Sequence, residues 1–180
     1  RVLIGFAVVE MALHHPVRLA VQTSLLDNLS NGRLIMGTGR GSAYNEYEYI
    51  GFGITLEDGR EMLGEAEELL IKAWTEDNVV HKGRYWALSF PGLRPRPVQK
   101  PHPPIAMSVI KGTSMAANMA GKRGYIPLST NLVPISTVAE HWQTYCGGAE
   151  QAGNPESQEK IPFSGSELTH KQYNDVFEGD

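Results

Sequence analysis

Four short polar segments carry whatever chemistry this sequence can perform. They are Glu10 with His14-His15-Pro16, the run Gly37-Thr38-Gly39-Arg40-Gly41, Ser108 with Lys111-Gly112-Thr113-Ser114, and Ser129-Thr130-Asn131. The glycines of the second segment allow positive φ and close backbone approach, and the Arg40 guanidinium can fork onto a phosphate. A tight turn with a surface arginine is the plainer reading. The run is not a dinucleotide fingerprint: Ser42 stands where the third glycine of G-x-G-x-x-G belongs, and the next helix begins too late. Gly112-Thr113-Ser114 opens a helix, where free N–H groups and two hydroxyls make a ready anion site. Ordinary N-capping would use the same residues.

His14 and His15 are adjacent and so point different ways in most backbones. The other histidines, His81, His102, His141 and His170, are scattered, and no metal-ligand spacing emerges. His14 is the candidate for facing a pocket and meeting substrate or moving a proton; a structural histidine is the competing reading. No Ser-His-Asp or Cys-His arrangement can be built. Cys146 is the single cysteine, which excludes an intrachain disulfide and makes a cytoplasmic location the default expectation.

The elements that must position these groups alternate between strand and helix. Val2–Val9 is a near-continuous apolar run, as expected of a strand covered on both faces. Pro16 suits the first turn of a helix, in which Val17, Val21, Leu25 and Leu29 recur at helical spacing up to the stop at Asn31-Gly32. Arg33–Gly37 reads as a second buried strand. Thr55-Leu56-Glu57-Asp58 reads as a capping box, ahead of a helix whose apolar face holds Met62, Leu63, Ala66, Leu69, Leu70 and Ala73. Its residues Glu61, Glu65, Glu68 and Lys72 read as a solvated face.

Val79–Leu88 predicts a hairpin turning at Lys82-Gly83, followed by a Pro-rich extended connector through Pro104. Ile105–Val109 and Gly124–Leu128 predict two more strands, followed by helices over about Thr113–Lys122 and Ser136–Gln151. Four buried strands alternating with helices mean a parallel α/β architecture, either a doubly wound sheet or part of an eight-fold barrel. In both, the working face lies at the C-terminal ends of the strands, so all four polar segments belong to one rim. The opening apolar strand at Arg1 would present a bare edge, which suggests a fragment of a larger domain.

A formal charge of −4 gives no electrostatic footprint for nucleic acid or anionic membrane. No apolar run approaches the roughly 20 residues that span a bilayer.

The run HHPVRLAVQTSLLDNLSNGRLIMGTGRG at residues 14–41 closely resembles a segment of the luciferase-like flavin-dependent monooxygenases, the family of bacterial luciferase. There an HP-initiated helix, an LDxLSxGR turn and a G-x-x-RG strand end follow in this order. The likeness continues through Tyr44–Ile54, HKGRYW at 81–86 and RPRPVQKPHPPI at 94–105, and ends with the helix leading to Gly124. It implies a (β/α)8 barrel of which residues 1–160 hold about strands three to six, with 161–180 a tail of unclear structure. It implies a flavin-dependent monooxygenase that uses reduced FMN and O2 to oxidise a small organic substrate, with flavin delivered by a separate NAD(P)H reductase. A homo- or heterodimer is the implied assembly.

Carried over by position, Arg40 matches the arginine of the RG pair that Gly41 completes, Tyr44 an aromatic near the flavin, and Thr113 and Ser114 the contacts after strand five; Ser108 and Gly112, from the same rim segment, join them as cofactor-binding candidates. A deazaflavin-dependent hydride-transfer enzyme, a non-catalytic flavin binder and an inactive truncated remnant are the alternatives within the same resemblance.

Overall fold

In a computed structural model of the chain, which describes residues 2–41, 45–111, 114–130, 133–154 and the strands at 161–163 and 166–168, the opening apolar run is not one strand. It pairs as β1 (Ile4–Gly5) and β2 (Val9–Glu10), both parallel to β3 (Leu34–Gly39). Between them Val8 crosses over Gly39, where a Cβ would lie 2.4 Å from Val8 Cγ2. The chain divides into two compact units, Arg1–Pro104 and Ile105–Asp180, each described by itself.

In the first unit, helix α1 spans Pro16–Leu29 as the proline predicts, and ends through left-handed Asn31 and Gly32. Its buried face is not the one the sequence periodicity suggests. Leu19, Ala20, Thr23, Ser24 and Asp27 point inward, whereas Val21, Leu25 and Leu29 are 38%, 48% and 76% exposed. Two of the polar residues on this inner face find partners within reach: Thr23 Oγ1 donates to Leu19 O at 2.7 Å, and Asp27 binds the connector described below.

After the short helix α2 (Glu46–Gly51), α3 runs from Leu56 to Thr75 behind the expected capping box. Asp58 N donates to Thr55 Oγ1 at 3.0 Å, and Thr55 N to Asp58 Oδ2 at 3.2 Å. Ala66, Leu69, Leu70, Ala73 and Trp74 are buried, which supplies most of this helix's hold on the core.

The acidic residues of α3 do not all face water. Glu67 is 2% exposed, and its carboxylate accepts the Thr38 hydroxyl from β3 at 2.6 Å. Glu65 grips the hairpin of β4 (Asn78–Lys82) and β5 (Ala87–Pro91): its oxygens accept the backbone N–H groups of Arg84, Tyr85 and Trp86 at 2.9, 3.1 and 2.8 Å, and His81 Nε2 lies 3.2 Å away. Burial works against the Glu65 charge, but these donors outweigh it and hold the carboxyl below its ordinary 4.5.

The end of α1 clamps the Pro-rich connector. Gln99 donates through its backbone and side-chain nitrogens to Asp27 at 3.0 and 2.8 Å, and Nε2 also reaches Leu34 O. Asn28 Nδ2 donates to Arg96 O at 2.7 Å. The LDNLSNGR run is therefore a structural clasp in this chain.

In the second unit, β6 (Ile105–Val109) and β7 (Ile126–Ser129) are parallel, with Ala106 opposite Ile126 and Val109 opposite Ser129. Helices α4 (Met115–Arg123) and α5 (Ile135–Ala152) pack through glycines. A Cβ on Gly121 would sit 2.1 Å from Tyr145 O, and one on Gly148 2.2 Å from Asn118 O, so the backbones touch directly. The stretch read as a tail contains a short antiparallel pair, β8 (Ile161–Phe163) and β9 (Ser166–Leu168). Among the described residues no helix is long and apolar enough to cross a membrane, and no cluster of His, Cys, Asp and Glu could hold a metal ion.

Candidate functional site

Strands β2 and β3 finish side by side, Glu10 opposite Gly39, and place the first two polar segments at one strand-end rim. Arg40 follows with an exposed side chain, and its carbonyl accepts the hydroxyl of Tyr49, a fully buried residue of α2. The turn is thereby tied to α2. Gly41 has φ +73°, and a Cβ there would lie 2.8 Å from Glu10 Oε1. Only glycine lets this backbone lie against the Glu10 carboxyl.

Glu10 has an unusual setting. Its Oε2 is buried with no hydrogen-bond partner, and burial, reinforced by the Glu48 charge, raises its pKa above the ordinary 4.5. Glu10 lines a cleft of about 670 Å³ together with Val8, Leu13, His14, Gln22 and Phe52. His14 is exposed at the cleft, directly after the turn Met11–Leu13. A cleft of this size, mostly apolar with a few converging polar groups, is the usual form of a small-molecule site.

The second unit supplies its own pair of strand ends. Ser108 is half-buried near the end of β6. Ser114 is the N-cap of α4, its Oγ accepting from Ala116 N at 3.1 Å. The capping reading of Ser114 is thus observed, and capping still leaves the helix N-terminus facing an anion favourably. Tyr44, Gly112 and Thr113 lie outside the described residues, as do Ser42 and Asn131.

At the end of β7, Ser129 Oγ lies 2.9 Å from His141 Nδ1. His141 is fully buried in α5; burial pushes its imidazole below the usual 6.5, with the Lys111 backbone pulling weakly the other way. Sequence reasoning placed Glu10 on this rim but gave its carboxyl no role, and it did not single out His141, because a lone histidine on an apolar helix face carries no signal. Cys146 is half-buried, and burial raises its thiol to about 11, which leaves it unreactive.

The family described as luciferase-like monooxygenase matches residues 1–168. Limonene 1,2-monooxygenase of Rhodococcus erythropolis is 30% identical over 79% of this chain and 36% of its own length. An F420-dependent glucose-6-phosphate dehydrogenase of Amycolatopsis mediterranei is 32% identical over 69% of this chain and 37% of its own. Among solved structures, monooxygenase RslO1 from Streptomyces bottropensis superposes with TM-score 0.77 at 29% identity, over 85% of this chain and 46% of that one. The oxygenating constituent of 3,6-diketocamphane monooxygenase from Pseudomonas putida, solved with FMN, gives TM-score 0.75 at 23% identity over 84% and 44%, a likeness of fold alone.

The chain therefore spans less than half the length of these proteins. It has their α/β fold of the (β/α)8-barrel type, of which it carries about four βα units. With that match over most of its residues, the chain belongs to the luciferase-like monooxygenase family.

Proposed function

We propose that this chain forms part of a flavin-dependent monooxygenase that uses reduced FMN and O2 to oxidise a small organic substrate, with the flavin supplied by a separate reductase. The family match over residues 1–168 carries the reading. The residues fit the cofactor's needs: Arg40 offers an exposed guanidinium directly after a strand, and the Gly41 backbone can approach a ligand closely. The α4 N-terminus beside Ser108 and Ser114 offers a second place favourable to a phosphate.

Reduced flavin, when bound, supplies the electrons that activate O2. In this reading Arg40, Gly41, Ser108, Gly112, Thr113 and Ser114 hold the cofactor, Tyr44 flanks it and His14 meets substrate. Val8, Leu13 and Phe52 give the cleft apolar walls against which an organic substrate can lie. Because F420-dependent proteins stand among the relatives, hydride transfer with a deazaflavin is the second reading.

An anaerobic titration of the chain with reduced FMN, followed by calorimetry, tests the proposal against the same titration with reduced F420. FMN binding that weakens in Arg40→Ala by about 1–3 kcal/mol, the scale of a lost charge-assisted contact, supports it. Binding of F420 alone moves the assignment to hydride transfer. A well-folded chain that binds neither overturns the flavin site in this polypeptide.

A further inference from the structure

At the strand ends of the second unit, a fully buried histidine serves a rim hydroxyl. Ser129 closes β7 opposite Val109, the last residue of β6, and is half-buried there. His141 reaches it from α5, with Nδ1 2.9 Å from Ser129 Oγ. Burying an imidazole costs free energy that an apolar side chain of similar size would not. The ring recovers little of that cost inside the fold, because Nε2 meets no hydrogen-bond partner among the described residues. What the ring does achieve is to fix the direction of the Ser129 hydroxyl. Burial keeps it neutral, and the Lys111 backbone favours its proton, which belongs on Nε2 while Ser129 engages Nδ1. Ser129 then donates inward and turns its lone pairs to the rim.

The surroundings of this hydroxyl suit a ligand. Ile110 directly after β6, Met115 at the start of α4 and Ile135 at the start of α5 are all exposed. By connectivity they stand at the same end of the unit as Ser129, as does the α4 N-terminus with its preference for an anion. Apolar surface, an anion-favouring helix end and an oriented acceptor match a molecule with a ring system, an anionic group and a ring N–H.

We infer that Ser129 is a further cofactor-contacting residue, whose hydroxyl accepts a ring N–H of the flavin, and that His141 is the positioning residue that aims it. The inference rests on the flavin reading and deepens it. A deazaflavin ring also carries an N–H, so the contact suits either cofactor and the test separates them.

The 180-residue chain is titrated anaerobically with reduced FMN, and separately with reduced F420, by calorimetry. Ser129→Ala weakens binding about five- to tenfold, the scale of one hydrogen bond. Ser129→Thr, which keeps the hydroxyl, stays close to the parent. His141→Phe, which fills the space without an acceptor, weakens binding to the same extent as Ser129→Ala. The double variant is no weaker than Ser129→Ala alone, because the ring acts through the hydroxyl. NMR of the imidazole nitrogens shows Nε2 protonated and Nδ1 bare in the parent. Urea unfolding checks each variant, and the Ser129 variants with the NMR spectrum decide the matter if His141→Phe does not fold.

Unchanged binding in Ser129→Ala, additive losses in the double variant, or a proton on Nδ1 overturns the inference. FMN binding indifferent to Ser129 refutes this inference alone. Ser129-dependent binding of F420 without FMN binding refutes the monooxygenase reading alone. A folded chain that binds neither cofactor overturns both.

Discussion

Replacing Glu65 by alanine removes the point through which α3 holds the β4–β5 hairpin. Three backbone N–H groups and His81 converge on this carboxylate, whose side chain is 14% exposed. A two-stranded hairpin has little stability of its own. If each N–H contact contributes about 1 kcal/mol net, a low value for a charged acceptor chosen because water can reach the vacated turn, the substitution costs about 3 kcal/mol. Glu61, one turn earlier, is the control. It meets the Arg84 guanidinium and the Tyr85 hydroxyl, but Arg84 and Glu61 are 69% and 47% exposed, so Glu61→Ala costs under about 1 kcal/mol.

Urea unfolding gives both differences, and hydrogen exchange at the amides of Val79–Leu88 shows whether the loss is local. Protection should fall across the hairpin in Glu65→Ala and stay near parent level in Glu61→Ala. Equal small losses in the two variants would refute the clasp and return Glu65 to the solvated face that its spacing suggests. The same carboxyl also ties stability to pH. Its folded pKa lies below 4.5, so its contribution is present above that value and disappears as the pH falls through the lower folded one.

Two further outcomes follow from the second unit. His141 has a folded pKa below 6.5, so the unfolded chain binds its proton first; stability falls as pH drops below about 6.5, and urea unfolding at pH 7.5 and 5.5 should show a smaller difference in His141→Gln. Gly121→Ala drives a methyl group into the Tyr145 carbonyl and should lower the unfolding midpoint well beyond Gly64→Ala, a helical glycine whose Cβ would meet nothing within 4 Å.

The main elements were legible because their signals are local. Pro16 with Asn31-Gly32 fixed both ends of α1, Thr55 and Asp58 the start of α3, and the apolar run Ile105–Val109 the whole of β6. What escaped was set by partners distant in the chain. The inward face of α1 is decided by Asp27 and Asn28 meeting Gln99 and Arg96, some seventy positions later, so its apolar stripe points the other way. Glu65 and Glu68 have the same spacing signal, yet only Glu65 stands under a hairpin turn. At the rim, the glycines and Arg40 announced themselves by type. The unsatisfied oxygen of Glu10 did not, because an unmet hydrogen bond is a property of three-dimensional surroundings alone.

The glycine contact between α4 and α5 has a mechanical consequence. Where side chains separate two helices, rotamer changes absorb small displacements; here main chain rests on main chain at Gly121 and Gly148, and nothing between them can yield. The pair behaves as a stiff lever. One arm begins at Ser114 beside the end of β6, and the other carries His141 to Ser129 at the end of β7. A substitution that displaces α4 at Ser114 is therefore expected to be felt by α5, and through His141 at the Ser129 hydroxyl, more directly than if side chains cushioned the contact.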